Sequence, residues 1–266
     1  MSEKREVSVA ARKSIRLQQW KCILGALSIC MMASLCSMAQ EPDAVNAAFS
    51  RTPSQYKPYA VALGQRLHRA GSERITATGL LAYAENLDKP IPVQIIWQYP
   101  LKVRLIQDDS SKTFDMSNAS QKVPANLRLA ETIEVLLEDS EEGLFSLRSS
   151  AVSSRWYGSG FKLAGADSKA PGVDIVQAIY GDVFRAGKQV VKTYWFSSSS
   201  NLLGFVGYQS ALGGDVNIVI DDWRDLGGEK VPFLIERWED GKLTMRLTLA
   251  SATVTAAVED GTFGGN

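Results

Sequence analysis

From Trp156 onward the chain alternates between apolar and polar at nearly every second residue, and this period of two constrains the fold more than any other feature. Runs of this kind lie around Trp156 to Leu163, Val173 to Tyr180, Val190 to Phe196, Leu202 to Tyr208, Val216 to Trp223, Val231 to Trp238 and Leu243 to Val254. Side chains alternate across a strand, so each run predicts a strand. The connections carry Ala-Pro-Gly, Ala-Gly-Lys, Leu-Gly-Gly and Asp-Gly-Lys, residue types that tight reversals need. Glu239-Asp240-Gly241-Lys242 is the clearest hairpin among them.

The same period occurs earlier. Ile75, Ala77, Gly79, Leu81 and Tyr83 alternate with Arg74, Thr76 and Thr78. After a turn at Asn86-Leu87-Asp88-Lys89-Pro90, the side chains of Val93, Ile95, Trp97 and Tyr99 share a face, which Val103 and Leu105 continue while Lys102 and Arg104 point the other way. These runs predict an antiparallel meander of three or four strands. Two stretches have the helical period instead. Tyr59, Leu63 and Leu67 recur at a spacing of four, with Gly71 expected as a left-handed cap. From Asn126 to about Leu147, Leu129, Ile133, Leu136 and Leu137 form an apolar stripe, and Glu131, Glu134 and Glu138 form the expected wet side. Gly143 is expected to split this helix. The order therefore predicts a mainly β (α+β) fold, a single large curved antiparallel sheet with a few helices covering its concave face. Residues from Glu259 onward read as a frayed tail.

The N-terminus sets the compartment. Lys4, Arg5, Arg12, Lys13, Arg16 and Lys21 precede an uncharged apolar run from Cys22 to Leu35, which closes on Ser37-Met38-Ala39. That is the layout of a secretory signal with cleavage after Ala39, and the run is short of the ~20 residues a spanning helix needs. An uncleaved anchor is the alternative. The expected division is a signal peptide over 1–39, a linker over 40–54 and one domain over 55–263, in a soluble periplasmic or secreted product. Cleavage removes Cys22, Cys30 and Cys36, all the cysteine there is, so neither disulfide nor thiolate chemistry is available to the remainder. It leaves 23 basic against 27 acidic residues, because the leader holds six of the 29 basic and two of the 29 acidic ones. With no basic block, nucleic acid is excluded as a partner.

Candidate chemistry is thin. His68 is the single histidine and lies beside Arg66 and Arg69, a helix-surface setting without a second imidazole or thiolate for a metal. Tyr157-Gly158-Ser159-Gly160 lacks the spacing of a nucleophile elbow. Asp221 and Asp222 are strand neighbours that point to opposite faces, which disfavours a hydrolase built on them. Glu138, Asp139, Glu141 and Glu142 read as a solvated helix end. No catalytic residue, metal ligand or cofactor is predicted. Six Trp, eight Tyr and nine Phe, most of them in predicted strands, either fill a core or line a cavity for an apolar ligand.

Two motifs add to this reading. Trp97-Gln98-Tyr99-Pro100-Leu101-Lys102-Val103-Arg104 resembles the Pro-x-x-x-Arg signature of the periplasmic lipoprotein-carrier superfamily (LolA/LolB-like, including outer-membrane lipoprotein-sorting proteins). Asp222-Trp223-Arg224-Asp225-Leu226-Gly227-Gly228-Glu229-Lys230-Val231-Pro232 is similar to that family's Gly-x-x-x-Pro turn before the last strands, which would end with Phe263. The resemblance spans about residues 55 to 263. It implies an unclosed half-barrel with helices as a lid over an apolar cavity for the acyl chains of lipoproteins or another lipid. The cavity residues it implies are Leu81, Val93, Ile95, Trp97, Tyr99, Val103 and Leu105 early in the chain, and Phe233, Ile235, Leu243, Met245, Leu247 and Leu249 late, with Leu136 and Leu137 in the lid. The expected function is a non-enzymatic periplasmic carrier of acyl chains, with an envelope membrane complex as a further partner. The alternative is a β-rich scaffold or subunit of a cell-envelope complex whose core is filled by its own side chains.

Overall fold

The structure, a computed structural model, describes residues 57–64, 73–98, 102–107, 110–115, 126–146, 152–162, 170–180, 190–210, 213–256 and 262–263. The leader, the linker, Leu67, His68, Gly71 and Tyr99 lie outside the described residues.

Strands β1 (Glu73–Tyr83), β2 (Ile91–Gln98), β3 (Lys102–Gln107) and β4 (Ser110–Asp115) form one meander. Strands β5 (Val152–Phe161), β6 (Val173–Tyr180), β7 (Val190–Ser197), β8 (Leu203–Gln209), β9 (Asp215–Leu226), β10 (Glu229–Glu239) and β11 (Lys242–Ala256) form a second. Antiparallel pairing of β1 with β11 joins the two into one eleven-stranded sheet, ordered β4-β3-β2-β1-β11-β10-β9-β8-β7-β6-β5. The sheet is open, and its edges are β4 and β5, so the expected fold class holds.

Curvature follows from packing. Laid flat, eleven strands at about 4.8 Å spacing would span roughly 50 Å. Yet Phe114 near one edge and Val176 and Ala178 near the other belong to a single continuous core cluster. The sheet therefore curls around one face. Two bulges assist, because an extra residue bends and twists its strand. In the first, pairing jumps from Thr78 with Ser251 to Gly79 with Leu249. Gly79 is needed there, since an added Cβ would overlap the Thr248 carbonyl. In the second, Arg237 pairs with Met245 but Trp238 pairs with Leu243. On the convex face Val173, Ile175, Trp195 and Phe205 form a small separate cluster.

The helices depart from expectation in length. The first, α1 (Lys57–Ala62), ends well before Gly71. Gly64, at φ +110°, reverses the chain, and the Leu63 carbonyl accepts a backbone hydrogen bond from Lys230 N (2.9 Å), which fixes α1 to the β9–β10 hairpin. The second helical region has three parts: α2 (Leu127–Ile133), a π-helical turn over Glu134–Glu138, and α3 (Glu141–Ser146). Asn126 caps α2 by accepting from Leu129 N. The break comes at Asp139-Ser140, not at Gly143. Ser140 Oγ accepts from Gly143 N at 2.9 Å, and a side chain at 143 would collide with the Leu137 carbonyl. Glycine at 143 therefore lets α3 fold tightly back on the preceding turn. The expected frayed end is also corrected, because Arg104 donates to Thr262 O (2.8 Å), Arg74 donates to Thr262 Oγ1 (3.2 Å), and Arg74 lies over the Phe263 ring.

Candidate functional site

The region from 126 to 146 lies between β4 and β5 in sequence, the two strands that end the sheet. Its described residues lie over the concave face, where they meet β1 and β10 at one end and β7 and β8 at the other. Its described backbone hydrogen bonds run within it: Ala130 N to Asn126 O, Asp139 N to Glu134 O and Leu144 N to Ser140 O. Side chains tie it to the sheet, and they are of two kinds.

The first kind is apolar. Ile133, Val135, Leu136, Leu137 and Leu144 are buried in the main core cluster together with the concave strand residues. Of the cavity residues expected from sequence, Leu81, Val93, Ile95, Val103, Leu105, Leu136, Leu137, Phe233, Ile235, Met245, Leu247 and Leu249 all belong to this cluster, and Trp97 packs against it half-buried. Leu243 does not join them. The bulge at Thr244 pairs it with Trp238, on the opposite face from Met245, where it is half-buried. Tyr99 lies outside the described residues. The lid side chains nearly fill the space, and the void left between lid and sheet is about 50 Å³, lined by residues that include Leu63, Ile75, Trp97, Leu136, Trp223 and Ile235.

The second kind is ionic, and sequence reasoning missed it. Lys192 on β7 is 1% exposed and stands on the concave face, opposite Ala178 on β6 and between Val190 and Tyr194 on its own strand. Its Nζ meets Glu134 Oε1 (3.2 Å), Glu138 Oε2 (3.2 Å) and Asp139 Oδ1 (2.5 Å), and packs 4.6 Å from the centre of the Tyr208 ring. Tyr208 OH donates to Glu134 Oε1 and Asp139 Oδ2, both at 3.1 Å, and Tyr194 OH donates to the Glu138 carbonyl at 3.0 Å. Three carboxylates of the lid thus share one ammonium. The π turn makes this possible. In an α-helix, residues five apart point about 140° away from each other, whereas the i→i+5 bond from Asp139 N to Glu134 O stacks them on one side.

The other end of the lid is held alike. Arg237 on β10, 4% exposed, reaches Glu131 at 3.5 Å as well as Glu239 on its own strand. Tyr83 OH on β1 bonds Thr132 Oγ1 at 2.9 Å. Three strand spacings separate Arg237 from Lys192, about 14 Å, and the eight residues from Glu131 to Asp139 rise about 12 Å. The lid therefore lies across the strands. The expected wet side of this helix is corrected: Glu131 is buried and Glu134 and Glu138 face the sheet, because the sheet offers cations there. The expected solvated acidic run is corrected too, with Asp139 and Glu141 both buried and Glu141 accepting from Leu203 N. Burial pushes the Asp139 carboxyl above its ordinary range, against the opposing pull of Lys192. The signal available in the sequence was alternation, which puts Lys192 on one face with Val190, Tyr194 and Phe196.

Elsewhere, Asp221 and Asp222 are exposed, and Asp222 pairs with Arg224. Among the described residues no group of three or more His, Cys, Asp and Glu is arranged to hold a metal, and no helix is long and apolar enough to cross a membrane.

The chain is similar in structure to several solved proteins. A domain described as an outer membrane lipoprotein-sorting protein, from Vibrio parahaemolyticus, matches with a TM-score of 0.47 and 10% identity over 78% of this chain and 96% of its own. A LolA superfamily protein from Nitrosomonas europaea matches at 0.44 and 11% over 79% and 97%, and a DUF1329 family protein from Desulfovibrio piger at 0.44 and 9% over 78% and 96%. No family model and no curated protein matches the sequence.

Proposed function

We propose that the protein is a periplasmic, non-enzymatic carrier that takes an acyl chain between its sheet and its lid. The observation that carries this reading is the placement of the lid. Its described residues lie across β1, β10, β8 and β7 and are fixed to them by side chains, so lifting them need break no strand pairing. The energies are matched. Five buried aliphatic lid residues contribute about 8–15 kcal/mol of apolar burial, at ~1.5–3 kcal/mol each. A sixteen-carbon chain at ~0.8 kcal/mol per CH₂ contributes about 13 kcal/mol. An acyl chain can therefore replace the lid's apolar stripe against the sheet, and what remains to be offset is the lid's ionic contacts with Lys192 and Arg237. The 50 Å³ void corresponds to the closed form, since ligand pockets run to about 300–1,000 Å³.

Native mass spectrometry of residues 40–266 purified from the periplasm of an expressing bacterium tests the reading. Lipid or lipoprotein should co-purify at unit stoichiometry, and should be lost when Leu136→Glu puts a charge on the lid's buried face. A clean apo mass, with no uptake of a fluorescent fatty acid, would leave the self-filled envelope scaffold as the better account.

A further inference from the structure

The closed lid and an acyl chain cannot both occupy the concave face, because the void between them holds only about 50 Å³. The residues that must move, Ile133, Val135, Leu136 and Leu137, belong to the same two turns as Glu134, Glu138 and Asp139. Displacing the apolar stripe therefore also withdraws the carboxylates. Three donors then lose the acceptors that the closed lid gives them: Lys192 Nζ, Tyr194 OH and Tyr208 OH. All three are on the sheet, on adjacent strands β7 and β8, and each is at most 7% exposed. The Tyr208 ring stays beneath the ammonium, but with an acyl chain excluding water beside Ala178 and Val190, an anion that takes the place of the lid's carboxylates is favoured there.

Resting on the carrier reading, we propose that Lys192, Tyr194 and Tyr208 form an anion site for the head group of the carried amphiphile, which the lid's own carboxylates occupy in the closed form. The ligand is then an acyl chain ending in a carboxylate or a phosphate. Its head competes with Glu134, Glu138 and Asp139 for the same donors, so arrival of the head group and release of the lid are one exchange. A neutral hydroxyl head gains only an ordinary hydrogen bond from these donors, and a cationic head gains none.

The test titrates residues 40–266 at pH 8 with four twelve-carbon amphiphiles, each displacing a neutral fluorescent acyl reporter: dodecanoate, dodecyl phosphate, dodecanol and dodecyltrimethylammonium. The anions should bind about ten- to a hundredfold tighter than dodecanol, the worth of one charge-assisted hydrogen bond. A preference for dodecanoate over dodecyl phosphate points to a free fatty acid as the source, and the reverse to a lipid head group. Lys192→Met should bring anions and dodecanol to within about threefold of each other. Asp139→Asn keeps the cation and weakens its competitor, so it should tighten both anions several-fold even if Lys192→Met does not fold. Equal binding of all four amphiphiles, or an anion preference that survives Lys192→Met, overturns the anion site while leaving the carrier reading intact. Binding of none of them overturns the carrier reading and this site with it.

Discussion

Replacing Lys192 by methionine keeps the reach of the side chain and removes its charge, and the structure sets the size of the effect. Asp139 is fully buried, and the Glu134 and Glu138 side chains are 17% and 18% exposed. Removing one partner of a buried ion pair costs about 3–5 kcal/mol, because the remaining charge is left without compensation. Asp139 can recover part of this by taking up a proton, at about 1.4 kcal/mol for each pH unit between the solution and its pKa. Lys192→Met should therefore destabilise by about 3 kcal/mol at pH 7.5 and by less at pH 5. Asp139→Asn leaves Lys192 with Glu134 and Glu138 and removes a charge that burial disfavours, so it should cost under about 1 kcal/mol. The double variant removes the buried charge pair altogether, so its loss should fall short of the summed single losses by about 1–3 kcal/mol. Urea unfolding followed by tryptophan fluorescence gives the cycle, and hydrogen exchange read by mass spectrometry locates it. Peptides within 126–146 should exchange faster in both single variants, with those from β1, β10 and β11 much less affected. Additivity within about 0.5 kcal/mol, or a loss under about 1 kcal/mol in Lys192→Met, would refute the ionic latch.

The latch also has a pH dependence of known sign. Burial raises the Asp139 carboxyl above its ordinary value while Lys192, Tyr208, Glu134 and Glu138 face it, so the closed lid holds this proton more tightly than an open one. The Asp139 contribution to closure is present below the ordinary carboxylate pKa and is lost as pH rises through the raised value. Lid exchange in the wild type should thus quicken with pH relative to Asp139→Asn, after correction for intrinsic rates, and a flat difference between the two would contradict this. At the other end of the molecule, Gly64→Ala puts a methyl group against the Glu229 carboxylate and the Gly228 carbonyl at φ +110°, and should cost about 1–3 kcal/mol of stability in urea by loosening α1 from the β9–β10 hairpin.

Legibility in the sequence tracked how local the cause was. Alternation depends on neighbours two residues apart, and the strand runs from Val173 to Val254 emerged where expected, with Leu81, Ile95, Val103, Ile235 and Leu247 together in one buried cluster. The helix ends failed because distant partners set them. The Leu63 carbonyl finds Lys230 and stops α1 early, and the lid breaks at Asp139-Ser140, where Lys192 and Tyr208 hold Asp139 from the sheet. Leu243 left its expected face through one extra residue at Thr244, which a period-two reading cannot register.

The sequence by itself determined an antiparallel β protein with an amphipathic helical excursion between two meanders, because periodicity is written residue by residue. Only the tertiary structure decided which strands this excursion lies across and that its glutamates turn inward. Glu131, Glu134 and Glu138 read as a water-facing stripe until Arg237 and Lys192 are brought beneath them from more than fifty residues away along the chain. A carboxylate's preference for water is overridden only by a cation already fixed in place, and the sheet has to fold before that cation is there.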